Sequence, residues 1–171
     1  MAHDNQTDLK ALQKSIQDQI ARQFPAFRLV EFYRDEESEA LPTPACLLEL
    51  DEFEHVEEDP GTDQLMVSLR FSARLVFSRE RGPKALMNVR LAAASLASFI
   101  NKNRFCGNVF PARIHNAGPD FFRPDLTSRY AIWRLEWSHA QAILGQNIWQ
   151  KEDEAGPDVT SIIVNGKEIH A

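Results

Sequence analysis

The sequence predicts an α+β domain: a mostly antiparallel sheet with a long β-hairpin, two helices packed on one face, and a C-terminal extended arm. Three observations predict it. Between Gln64 and Ser78, the residues Leu65, Val67, Leu69, Phe71, Ala73, Leu75 and Phe77 fall on every second position. That period of two belongs to a strand with one apolar face. Two other segments carry the three-and-four spacing of an amphipathic helix. From Leu144 onward the composition changes to that of an arm outside the fold.

The elements follow in order. Residues 1–6 read as a free terminus. Thr7 or Asp8 can cap a helix whose apolar stripe is Leu9, Leu12, Ile16 and Ile20. It ends near Gln23, because Pro25 disfavours a helical residue before it. Phe24 and Phe27 are expected to cover the end of the core. Arg28 to Tyr33 reads as a short strand, and Asp35 to Pro44 as a polar loop. Ala45 to His55 is a second strand, with Cys46, Leu48 and Leu50 on one side and Ala45, Leu47 and Phe53 on the other. The turn Glu57-Glu58-Asp59-Pro60-Gly61 joins it to the long strand as an antiparallel hairpin with an acidic tip. At ~3.3 Å per residue the alternating stretch reaches roughly 43 Å, about twice a usual strand. Its second face carries Arg70 and Arg74 among small serines.

Gly82-Pro83 marks a stop and a helix start. The second helix has Leu86, Val89, Ala93, Leu96 and Ile100 toward the core. Ala92, Ala93, Ala94 and Ala97 give it a smooth surface for packing on a sheet. Gly107 lies in its cap region. Ala112 to His115 reads as a short strand. Asn116 to Asp125, with Phe121-Phe122 in its middle, reads as a loop. Arg129 to Ala140 is the last core strand, with Ala131, Trp133, Leu135 and Trp137 on its apolar face. Thr160 to Val164, Asn165-Gly166 and Lys167 to His170 form a small-hairpin pattern, since Asn-Gly suits a type I′ turn. The division is therefore a domain over 1–143 and an arm over 144–171.

At 171 residues, 43% hydrophobic and 26% charged, the composition is that of a soluble globular protein. Met1 to Lys10 is polar, so no signal peptide is expected. No apolar run approaches the ~20 residues of a membrane span. Cys46 and Cys106 are too few for a disulfide scaffold and read as reduced, buried thiols.

The net charge of −6 hides a segregation. Asp35 to Asp63 holds twelve acids and no Lys or Arg, whereas Gln64 to Arg134 holds twelve bases and three acids. Two readings fit. Paired strands can bring the charges together within one sheet. Alternatively, opposite charges on different faces can join copies head to tail, a contact that builds rings or filaments. The second reading places Arg70 and Arg74 against Glu49, Asp51, Glu54, Glu57 and Glu58 at a subunit interface.

Signs of catalysis are weak. Glu49, Asp51 and His55 would share a strand face near Glu54 and could hold a divalent ion. A solvated acidic edge that discourages aggregation is the stronger reading. Nuclease chemistry would need clustered carboxylates with a lysine nearby, and Glu136 has no acidic neighbour in sequence. The five histidines have no ligand or triad spacing, and no Gly-rich phosphate loop or serine elbow is present. No cofactor or metal is expected. The basic region could meet phosphates, but the acid balance disfavours sequence-independent DNA binding.

With these elements placed, the chain resembles the tail terminator (tail completion) proteins of long-tailed bacteriophages, most of all the Mu-like ones. The resemblance runs from about Asp8 to Ile143. It lies in the opening helix (Leu9, Leu12, Ile16, Ile20), the proline-led strand 41–50, the alternating strand 65–77, the Ala-rich helix 86–100 and the aromatic strand 130–137. It implies a non-enzymatic structural virion protein. Such proteins form a hexameric ring that caps the tail tube, ends its polymerisation and meets the head connector. The implied partners are further copies of the chain, the tail tube protein and a head–tail connector or neck protein. Genomic DNA would pass through the lumen without specific binding, and no membrane is involved. The implied locations are the tail or neck of the virion and, during assembly, the host cytoplasm. An acidic lumen would keep DNA from sticking.

Two alternatives stand beside this. One is a neck or head-completion connector protein. The other is a cytoplasmic dimeric binding module whose pocket is lined by Trp133, Trp137 and Phe residues. In that module the tryptophans would be partly exposed; in a ring subunit they would be core.

Overall fold

A computed structural model describes residues 6–34, 41–105, 108–120, 129–145, 161–164 and 167–170. The order is α1 (Leu9–Gln23), β1 (Leu29–Phe32), β2 (Ala45–His55), β3 (Leu65–Ser78), a 3₁₀ turn (Arg79–Arg81), α2 (Ala85–Ile100), β4 (Arg113–Pro119), β5 (Tyr130–Leu144), β6 (Ser161–Val164) and β7 (Lys167–His170). The first five strands form one sheet in the order β1-β2-β3-β5-β4. Only β1 and β2 run parallel; the other pairs are antiparallel. The class is therefore α+β with a mostly antiparallel sheet. β6 and β7 pair with each other as a separate two-stranded sheet, and the Asn165-Gly166 turn lies outside the described residues.

Both helices lie on one face. Leu12, Ile16 and Ile20 of α1 and Ala85, Val89, Ala93, Leu96 and Ile100 of α2 are buried in one cluster. Cys46 and Leu48 of β2, Leu69, Phe71, Ala73 and Leu75 of β3, and Leu135 and Trp137 of β5 join them. The alternation read from the sequence puts the β3 and β5 residues there, because burial of one face leaves a single usable register. Phe71 and Trp137 are direct cross-strand partners, their rings stacked at 5.6 Å. Phe24 and Phe27 pack at the margin of this core. Asp8 caps α1, its side chain accepting a hydrogen bond from the Ala11 N–H at 2.9 Å.

Thr7 serves β5 instead. Its N–H donates to the Ile143 carbonyl at 2.7 Å and its hydroxyl accepts from the Ile143 N–H at 3.1 Å. One residue thus makes both bonds of a strand partner. Gln64 Nε2 donates to the Gly145 carbonyl at 2.7 Å, holding the end of β5 from the other side.

Several sequence expectations change. Phe53 falls on the helix side with Leu50, not with Ala45 and Leu47. The β2–β3 register shifts between Leu50 and Glu52, so Asp51 is a bulge and every later side chain changes face. The same shift puts His55, paired with Val67, on the face opposite Glu49. In α2 the core position is Ala85, four residues before Val89, and Leu86 is turned outward. Ala94 is also exposed, away from the sheet. The strand expected at 112–115 continues to Pro119, tolerated because β4 is an edge strand. β5 runs to Leu144 through a second bulge. Between Val67/Ala142 and Leu69/His139, β5 has one more residue than β3, and Gln141 there adopts φ 54°. This bulge returns Ala142 to the core. The readings on residues 1–5, 35–40, Cys106, Gly107, Phe121-Phe122 and 146–160 lie outside the described residues.

Candidate functional site

The sheet face away from the helices carries the charged residues singled out above. β2 presents Glu49, Asp51, Glu52 and Glu54 there; β3 presents Arg70, Ser72 and Arg74; β5 presents Arg134 and Glu136. The bulge at Asp51 matters locally, since it sets Asp51 and Glu52 consecutively along one face. Each arginine holds two carboxylates. Arg70 Nε lies 3.1 Å from Glu52, and its Nη2 donates to Glu54. Arg74 lies 3.1 Å from Glu49 and 2.9 Å from Asp120. Arg134 lies 2.8 Å from Asp51 and 3.1 Å from Glu136.

Ser72 makes the central link possible. It sits on β3 between Glu49 of β2 and Glu136 of β5. Its small side chain leaves room above the strand for Asp51 and Arg134 to meet across it. Its hydroxyl donates to Asp51 Oδ1 at 3.0 Å. The hydrogen bond to Glu54 raises the Arg70 pKa above its ordinary value, while burial opposes the shift. One exposed pair contributes about 0–1 kcal/mol alone, but here each arginine ties its own strand to β2 and holds a second carboxylate. Three arginines against six carboxylates leave this cluster with three excess negative charges.

At one end the same face is closed by a small apolar cluster: Ala45, Leu47 and Val76, with Leu29, Leu41, Tyr130 and Ile132 against them. At the other end lie Glu57 and Glu58, in the segment after β2, next to Asp59 and Asp63. Of the seven interface residues named from sequence, Glu49, Asp51, Glu54, Arg70 and Arg74 thus meet within one chain. Glu57 and Glu58 stand apart at the hairpin end. Sequence reasoning missed Glu52, Asp120, Arg134 and Glu136 as partners. Arg134 and Glu136 could have been found from the alternation of β5; Asp120 had no local signal.

Groups suited to chemistry are few among the described residues. His115 Nε2 lies 2.7 Å from Ser138 Oγ. Activating a hydroxyl also takes an orienting group on the second ring nitrogen and donors for an oxyanion. No hydrogen bond to His115 Nδ1 is seen among the described residues. No group of three or more His, Cys, Asp or Glu there could hold a metal ion. Cys46 is buried and its thiol is pushed up to about 12 by burial, so it stays protonated. His139 is fully buried. One ring nitrogen, Nδ1, donates to the Phe110 carbonyl at 2.8 Å; Nε2 has no hydrogen-bond partner among the described residues, and the ring packs edge-on against Phe71 and Phe105. Burial lowers its pKa. Trp137 is fully buried, and Trp133 packs at the core margin beneath Arg90, whose guanidinium lies 5.3 Å from the ring centre. No helix among the described residues is long and apolar enough to cross a membrane.

Comparison with protein-family models finds no match, and comparison with curated proteins finds none either.

Proposed function

We propose that this chain is a structural virion protein whose copies form a ring that caps a phage tail tube, ends its polymerisation and joins the tail to the head connector. The observation that carries the reading is the paired sheet face. The three arginines at its centre, Arg70, Arg74 and Arg134, are each paired with carboxylates of the same chain, and acid remains in excess among them. A ring lined by that face offers passing DNA a hydrated wall whose centre is net negative and whose central arginines are already paired, with Arg113 exposed at the β4 edge. The resemblance in helix and strand pattern supports the same reading. Burial of Trp137 removes half of the aromatic lining that a small-molecule pocket on β5 would use.

The test is electron microscopy of the purified chain, with mass from light scattering at low and moderate salt. Closed rings of about six subunits, with the β2–β3–β5 face toward the lumen, are the expected result. A dimer of salt-independent mass, with no ring in the images, overturns the reading.

A further inference from the structure

α1 and α2 differ in a way that the sheet does not require. The outward side of α1 carries Lys10, Lys14 and Asp18, as a surface helix should. The outward side of α2 carries Met87, Leu91, Ala94 and Ser98, spaced four, three and four, so they form one stripe. Met87 is 52% and Leu91 59% exposed. The only charged residue in all of α2 is Arg90, and Lys84 precedes its first turn. Between Glu80 and Asp120 the sequence has six bases and no acid. Neither Lys84 nor Arg90 has an ion-pair partner among the described residues. The stripe is thus apolar with a basic rim.

The hairpin end of the molecule has the opposite character. Phe53 is 52% and Leu65 56% exposed. A cleft beside them is lined by Glu57, Glu58, Asp59, Asp63, Leu65 and Met66. From Glu49 to Asp63 there are eight acids and no Lys or Arg. This end is apolar with an acidic rim, and it is concave where the helix stripe is convex.

The two surfaces cannot meet within one chain. Arg90 stacks over Trp133, the partner of Leu75, whereas Phe53 pairs with Leu69 and Leu65 opens β3, so at ~3.3 Å per residue the surfaces lie roughly 20–33 Å apart along β3. We propose that the hairpin end of one copy docks on the α2 stripe of the next, Phe53 and Leu65 meeting Met87 and Leu91 while Glu57 and Glu58 face Lys84 and Arg90. The occupant is a second copy because each surface supplies what the other lacks in charge and in shape. The contact is heterologous, so it repeats from copy to copy. This deepens the ring reading and rests on it only for closure; an open filament would use the same contact.

The test uses two full-length variants. The first, Phe53→Asp with Leu65→Asp, spoils the hairpin end and keeps the stripe. The second, Lys84→Glu with Leu91→Asp, spoils the stripe and keeps the hairpin. All four positions are exposed, so both variants are expected to match the wild-type circular dichroism and melting temperature, which is checked first. Sedimentation velocity should show each variant associating at least ~10-fold more weakly than wild type. Mixed one to one, they should form a single heterodimer that grows no further, since exactly one sound pair of surfaces remains. Wild-type assembly by either variant, or a mixture that stays monomeric, overturns the contact. So does a wild-type chain that remains monomeric up to about 100 µM. If the heterodimer forms but wild type builds open filaments, the contact stands and the ring reading fails.

Discussion

Arg74 and Arg134 are direct cross-strand partners on β3 and β5, and each holds two carboxylates. Like charges in that position repel. Here each is drawn aside, Arg74 toward Glu49 and Asp120, Arg134 toward Asp51 and Glu136. The acids on β2 thus do more than decorate an edge. They let two guanidiniums occupy neighbouring sites on one sheet.

A double-mutant cycle on Asp51 and Arg134 measures this. Asp51→Ala and Arg134→Ala should each destabilise the chain in urea unfolding, with a coupling of about 0.5–1 kcal/mol. Strictly additive effects would show that the bridge over Ser72 contributes nothing. Asp51→Ala should also lower stability more than Glu57→Ala, because Glu57 has no partner among the described residues.

The bulge at Gln141 predicts a substitution that stabilises. A side chain at φ 54° is held in the left-handed region, where glycine fits at no steric cost and β-branched residues fit worst. Gln141→Gly is expected to raise stability by about 0.5–1 kcal/mol and Gln141→Val to lower it by at least as much. Denaturant midpoints for the two variants moving in the same direction would contradict the bulge.

His139 makes stability depend on pH. Its pKa lies below the ordinary 6.5 because burial disfavours the charged ring, the Phe110 carbonyl pulling weakly the other way. The folded state therefore binds fewer protons than the unfolded state. The contribution is complete above about pH 6.5 and is lost as pH falls from there through the folded pKa, by up to ~1.4 kcal/mol per pH unit. Unfolding free energies between about pH 7 and about pH 5.5 should show this slope, and His139→Gln should flatten it. An unchanged slope in the variant assigns it to another group.

Trp137 should behave as a core fluorophore. With Trp133 and Trp149 replaced by Phe, the remaining emission is expected to be blue-shifted and insensitive to acrylamide. Ready quenching would reopen the pocket on β5.

The alternation of β3 was legible because one of its faces is buried, which leaves only one workable register for hydrophobic residues. The same logic gave the faces of β5 as far as Trp137. It failed at Asp51 and Gln141, where a bulge changes the register without changing composition, so Phe53 and His55 were assigned to the wrong sides. Leu86 and Ala85 lie three and four residues before Val89, so spacing alone does not separate them, and the structure buries the smaller one. In the charged face, Arg70, Arg74, Glu49, Asp51 and Glu54 could be picked out from strand parity. The pairing of Asp51 with Arg134 could not. It spans three strands and depends on β5 lying beside β3, an order that local pattern does not encode.

Thr7 and Gln64 together have a mechanical consequence. The root of the C-terminal segment is gripped on one flank by Thr7, the residue before the cap of α1, and on the other by Gln64, the residue before β3. A pull on the chain beyond Gly145 therefore cannot peel β5 away one bond at a time. It loads several hydrogen bonds in parallel and passes the force to two elements rooted in the core. Gly145 is the point at which that load enters the body.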